Sequence, residues 1–250
     1  QPHIMCGVHD VAKYVFLPGD PKRSEKIASF FDECRKVAEF REYVTYSGRI
    51  DNIPVSVTST GIGCPSAAIA VEELANIGAE VFIRVGTTGA LQRHINIGDI
   101  IVATAAVRAD GTTKAYVPIE YPAAADVNVV LALIEAANKL GVKPHVGVVW
   151  TSDAFYSEKK EWVNLWSKAR VLSVEMECSA IFTISSLRGL RSGAILAVDG
   201  NLLRGLKKGA FGPGEKAGEQ DERVQKAIDQ EIKIALEAVK ILETTFSMKT

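Results

Sequence analysis

Short runs of valine, isoleucine and other apolar residues at 15–17, 55–58, 81–85, 100–106, 146–149 and 194–198 most constrain how this chain can fold. Each is brief and largely continuous in its apolar character, the pattern of a strand covered on both faces. Between them, segments 21–31, 66–77, 127–140, 158–166 and 176–187 carry apolar residues at helical spacing. Near the C-terminus Val224, Ala227, Ile228, Ile232, Ala235, Val239 and Leu242 recur every three or four residues, forming one apolar stripe of an amphipathic helix. Strands alternating with helices predict an α/β fold: a three-layer α/β/α sandwich whose central mixed sheet is flanked by helices, in a single domain over 1–250. A hydrophobic content of 47% in 250 residues is enough for such a core.

Lys and Arg (29) nearly cancel Asp and Glu (30), so the formal charge of -1 gives no basic footprint for nucleic acid or an anionic membrane. An anionic ligand therefore has to be met by a few placed arginines. Cys6, Cys34, Cys64 and Cys178 are scattered without a CxxC pair or metal-like spacing, which predicts reduced thiols and a cytoplasmic location. No apolar run reaches the roughly 20 residues needed to span a bilayer, and no basic-then-apolar export signal opens the chain. The expectation is a soluble protein with no membrane partner.

Several strand candidates run into glycine-bearing turns: Leu17-Pro18-Gly19-Asp20, Thr60-Gly61-Ile62-Gly63, Val85-Gly86-Thr87-Thr88-Gly89 and Val198-Asp199-Gly200-Asn201. Ligands of α/β sheets bind beyond the carboxyl ends of strands, where glycine permits close backbone approach. Two nucleotide fingerprints are excluded. Ser66 occupies the third glycine position after Gly61 and Gly63, and Leu206 and Lys207 replace the Lys and Ser/Thr of a P-loop after Gly200 and Gly205. The glycine- and lysine-rich stretch 205–218 reads as a surface loop. Arg23 opens a helix after the first turn, and Arg84 lies inside an apolar strand. A buried arginine needs a partner, either a phosphate that matches its planar fork or an internal carboxylate.

Five motifs taken together, Pro18-Gly-Asp-Pro-x-Arg23, Thr60-Gly-Ile-Gly-x-Pro-Ser66, Ile83-Arg-Val-Gly-Thr-Thr-Gly-Ala90, Ser152-Asp-x-Phe-Tyr156 and Val174-Glu-Met-Glu177, resemble the nucleoside phosphorylase family of uridine phosphorylases and hexameric purine nucleoside phosphorylases. The resemblance implies that Gly19, Arg23, Arg84 and Thr87 hold phosphate, joined by Arg41 from a neighbouring subunit. Glu177 accepts from the ribose 2′- and 3′-hydroxyls, Met176 packs under the sugar, and His3 of a neighbour meets the 5′-hydroxyl. Phe155, Val174 and Glu175 fall to the base, with Phe155 stacking on it. If Glu175 and Glu177 share a helix, their spacing of two points them in different directions. The resemblance further implies dimers with shared active sites, assembled as a hexameric trimer of dimers, inorganic phosphate as co-substrate, and no metal or organic cofactor.

Glycosidic cleavage builds negative charge on the departing base, which a proton donor can relieve. Asp199 is the candidate acid for a purine, with Arg204 and the 205–218 loop closing over the base; the competing reading is a capping aspartate. Bacterial uridine phosphorylases carry a Gln-x-Arg element after the Phe-Tyr motif, and Ser157-Glu-Lys-Lys-Glu161 contains none. That favours purine nucleosides such as inosine and guanosine, with uridine as the alternative because 92–99 and 108–111 look closer to uridine phosphorylases. Two other functions compete: a nucleosidase using water, and a nonenzymatic nucleoside-binding protein.

Overall fold

The computed structural model describes residues 1–206 and 222–247, so most of the predicted 205–218 loop lies outside the described residues. The elements are β1 (Tyr14–Leu17), α1 (Pro21–Ala28), β2 (Glu33–Phe40), β3 (Tyr43–Ile50), β4 (Ile53–Thr58), α2 (Cys64–Asn76), β5 (Val81–Ala90) and β6 (Ile100–Ala109). There follow α3 (Thr112–Tyr116), β7 (Ala123–Ala124), α4 (Val127–Lys139), β8 (His145–Ser152), α5 (Lys160–Lys168), β9 (Ser173–Glu175), α6 (Cys178–Leu187), β10 (Arg191–Asn201) and α7 (Glu222–Ser247).

Every predicted apolar run is a strand. Alternate residues of these strands feed opposite faces, as the two-residue repeat requires. Tyr14, Phe16, Ile83, Val85, Ile195 and Ala197 pack with residues of α1, α4 and α7. Val15, Leu17, Phe82, Leu196 and Val198 pack with α2 and α6. The mixed sheet with helices on both faces is thus as expected. Helix starts have local causes: Asp20 accepts from the Lys22 amide at 3.0 Å ahead of Pro21, and Asp126 accepts from Asn128 and Val129 at 2.9 and 3.1 Å to begin α4.

The sheet is also more than an open layer. β5 pairs with β10, β10 with β6, β6 with β8, β8 with β9, and β9 returns to β5, closing a ring of strands. The wing β1-β4-β3-β2 extends from the margin of β5 opposite β10, where β1 pairs with residues 81–84 ahead of the two that β9 meets. β5 belongs to both parts.

The carboxyl ends of β1 and β4 are tied together beside β5. Thr60 N–H donates to the Pro18 carbonyl at 2.8 Å, and Gly61 N–H to that of Gly19 at 3.0 Å. A Cβ on Gly19 would lie 3.2 Å from the Gly61 carbonyl oxygen, so the two turns meet because that position is bare.

Candidate active site

Arg84 sits in β5 with its side chain almost wholly buried. The strand passes closely beneath its guanidinium: a Cβ on Gly86 would stand 3.0 Å from both Cζ and Nη2, so glycine there makes room for the charge. Nε lies 3.0 Å from Glu175 Oε2, and Nη2 lies 2.5 Å from Glu177 Oε2. Among the described residues neither Nε nor Nη1 makes a well-aligned hydrogen bond. Burial alone would loosen the arginine's proton, but Glu177 and then Glu175 outweigh it and hold that proton more firmly than usual. Of the two readings of Arg84, an internal ion pair is present in the fold.

The two acids reach Arg84 because Glu175 and Glu177 are not on one helix. Glu175 ends β9 and Glu177 caps α6, which begins at Cys178, two residues later than its predicted start. The chain turn between them lets both carboxylates converge, correcting the expectation that they diverge. Glu175 is fully committed: it accepts from Thr151 Oγ1 at 2.5 Å and from the Glu177 and Cys178 amides at 2.8 and 2.9 Å. It thereby serves the first turn of α6, where a carboxylate is favoured. Glu177 accepts from the Gly63 amide at 2.7 Å, and burial raises its carboxyl above the usual range although Arg84 pulls it down.

A third buried acid was missed by sequence reasoning. Glu231 of α7 is 0% exposed and lies 3.5 Å from Arg23 Nη1. Among the described residues neither of its oxygens accepts a well-aligned hydrogen bond. Burial pushes it up to about 8, opposed by Arg23, the Ala197 amide and Arg84 and reinforced by Asp199. Glu231 is therefore within electrostatic reach of both arginines and of Asp199, which gathers the sequence-predicted residues into one region. Its signal was available: position 231 falls on the apolar stripe, four after Ala227 and four before Ala235.

Thr87 is half-buried further along β5. Asp199 is half-buried where the β10–β5 register shifts between Val198 and Gly200. Asn201 is buried and donates to the Gln92 and Ile95 carbonyls at 3.0 and 2.9 Å, fixing the end of β10. Arg204 turns to that same 92–96 segment, donating to the Arg93 carbonyl at 2.6 Å and to Asn96 Oδ1 at 3.1 Å.

Val174 is buried on β9, and its carbonyl accepts from Thr88 Oγ1 at 2.7 Å, while Met176 is half-buried beside it. Phe155 is 41% exposed and meets Tyr156 edge-on at 5.1 Å between centroids. His3 is anchored to α2, its Nδ1 2.6 Å from Glu73 Oε1. Arg41 is exposed in the β2–β3 turn at φ 55°. His3 and Arg41 both lower the Glu42 carboxyl, after the larger effects of its own amide and Ser66, so these two residues share one face.

Residues 13–240 match the model of the Phosphorylase superfamily. The chain is 48% identical to a uridine phosphorylase of Thermococcus kodakarensis, covering 97% of this chain and 86% of that one. It is 43% identical to a guanosine phosphorylase of Halorubrum lacusprofundi, covering 97% and 99%. The crystal structure of a uridine phosphorylase from Vibrio fischeri superposes with a TM-score of 0.87 at 35% identity, over 95% of this chain and 96% of that one. With sequence, motifs and architecture in agreement, the chain belongs to the phosphorylase superfamily, and within it to the nucleoside phosphorylases.

Proposed function

We propose that this nucleoside phosphorylase cleaves uridine to uracil and ribose 1-phosphate. The constellation of buried Arg84 and Glu177 with half-buried Arg23 of α1 carries the phosphorolytic reading. A phosphate oxygen attacks the anomeric carbon, the C–N bond breaks with its electron pair leaving on the base, and the base then takes a proton. Arg23, Arg84, Thr87 and the Gly19 backbone hold the dianion through charge-assisted hydrogen bonds. Glu177 accepts from the 2′- and 3′-hydroxyls, and Met176 lies under the sugar. Glu175 holds Arg84 in place and has no free edge for a base, so base contacts fall to Phe155 and the neighbourhood of Val174.

Uridine replaces the purine preference drawn from the missing Gln-x-Arg element, because uridine phosphorylases include both the 48% identical relative and the well-superposed structure. Guanosine is the second reading, favoured by the Halorubrum relative and by Asp199 at the end of β10, a residue type able to serve as the acid that a purine leaving group needs. His3 and Arg41, together on one face, suit donation to a neighbouring subunit's site in a dimer-based hexamer. Free Cys6, Cys34, Cys64 and Cys178 suit a cytoplasmic enzyme, and no helix among the described residues is long and apolar enough to cross a membrane.

The test is base release from uridine, guanosine, inosine and adenosine, each with and without phosphate. Uridine should be cleaved fastest, and only with phosphate. Release without phosphate makes the enzyme a nucleosidase; faster cleavage of guanosine restores the purine reading.

A further inference from the structure

We propose that Glu231 is a positioning residue that holds Arg23 in competition with incoming phosphate, and that it takes up a proton when the dianion binds. The inference rests on the phosphate-binding role of Arg23 and Arg84 given above. Around Glu231 stand Arg23 from α1, Arg84 from β5 and Asp199 from β10, with Glu175 and Glu177 beyond Arg84. If every carboxyl is ionised, two arginines face four acids before any phosphate arrives. A dianion added to that set leaves an excess of negative charge in a desolvated place, which is costly unless one acid becomes neutral.

Asp199 is only half-buried, and the hydrogen bonds separate the three buried acids. Glu175 accepts from a hydroxyl and two amides, and Glu177 accepts from the Gly63 amide beside its pairing with Arg84. Such donors favour the ionised form. Glu231 is the most weakly held: among the described residues its oxygens accept no well-aligned hydrogen bond, the Ala197 amide only partly offsets its burial, and its closest charge contact is the 3.5 Å approach of Arg23. A proton from solvent on Glu231 gives a neutral acid that no longer attracts Arg23, and the guanidinium fork turns to the phosphate oxygens. α1 need not leave α7 for this, because Lys26 and Asp229 join the same two helices outside the cluster at 2.6 Å. Burial pushes Glu231 up to about 8, so the exchange falls within the working range of pH.

Sulfate keeps its charge at these pH values, so it is the probe. Its affinity for the wild-type enzyme, measured by isothermal titration, should weaken about tenfold between pH 7 and pH 9, as expected for a protonation near 8 that binding requires. The Glu231→Gln enzyme should show a flat profile, about tenfold tighter than wild type at pH 9. Its phosphate KM should fall at that pH with kcat little changed, a split that a merely structural role would not produce. Parallel wild-type and variant profiles overturn the inference. Should Glu231→Gln not fold, wild-type sulfate titrations at pH 9 in buffers of different ionisation enthalpy decide it: uptake approaching one proton is expected, and none overturns it. Phosphate-independent uridine cleavage by the wild type would sink the proposed reaction instead; phosphate-dependent cleavage with coincident pH profiles sinks only the role of Glu231.

Discussion

The cluster around Arg84 and the rim around Phe155 are built on opposite principles. In the cluster the charged groups are largely or wholly buried and each is held by a polar partner: Arg84 by Glu175 and Glu177, Glu175 by Thr151 and two amides, half-buried Arg23 by Glu231. On the rim, Phe155 is 41% exposed, Tyr156 99% exposed, and Arg204 is occupied by the 93–96 turn. A desolvated cluster strengthens every electrostatic contact and tolerates little change. An exposed rim tolerates substitution, because few contacts depend on any one residue. On the proposed reading, the chemistry is held in the interior and the choice of base falls to a surface that tolerates change.

Removing the centre of the cluster breaks that contrast most severely. Arg84→Met should lower kcat/KM for phosphorolysis by about 10³-fold, since a principal anion donor is lost and two buried carboxylates are left without their cation. Arg84→Lys should fail to restore it, because a single ammonium cannot meet both acids and phosphate with a planar fork. Steady-state kinetics with varied phosphate measure both.

The next test lies between the two regions. Asp199→Asn should cost about 10²-fold on guanosine and much less on uridine, the difference between a leaving group that needs a general acid and one that leaves without it. Equal losses on both nucleosides would mean that Asp199 serves the cluster and not the base. Relative kcat/KM values for the two nucleosides read this directly.

Stability sharpens the comparison further. The Glu231 carboxyl is raised from 4.5 to about 8, so the native state binds the extra proton between those values and the unfolded state does not. Its stabilising contribution is complete below 4.5 and is lost as pH rises through about 8. Thermal unfolding should therefore show Glu231→Gln gaining on wild type by a few degrees from pH 5 to pH 8.5. No comparable pH-dependent gain is expected for a substitution at Phe155. The smallest effect belongs to the rim: Phe155→Ala should raise the nucleoside KM about five- to tenfold, roughly the value of one stacking contact, and leave the phosphate KM unchanged.

How much of this was legible in the chain follows the same division. The continuous apolar runs made β1, β4, β5, β6 and β10 readable, because strands covered on both faces admit little polarity; β8 was read from the same pattern, although Val146 and Val148 leave one of its faces exposed. β2 carries Glu33, Arg35, Lys36 and Glu39 and is mostly exposed, so nothing in its composition marked it as a strand. Ring closure depends on β10 and β9 both meeting β5, a tertiary fact without a local signature. Arg84 stood out as a charge inside an apolar strand, whereas Glu177 was marked only by the resemblance of its motif to the family. Their pairing did not, because it depends on where α6 begins. Glu231 interrupts an apolar stripe, yet its meaning appears only when α1 supplies Arg23 opposite it. The preferred base was least legible: the absent Gln-x-Arg element pointed to purines, whereas the balance of the relatives points to uridine.

One consequence follows from β5 being shared by the ring and the wing. Its first half is flanked by β1 and β10 and its last residues by β9 and β10, so the strand that bears Arg84 has neighbours along both margins. Amide exchange along it should be among the slowest in the protein, and the anion seat should keep its shape through the catalytic cycle. Admission of nucleoside and release of product then fall to segments outside that lattice, so turnover can be tuned at the periphery without disturbing the seat.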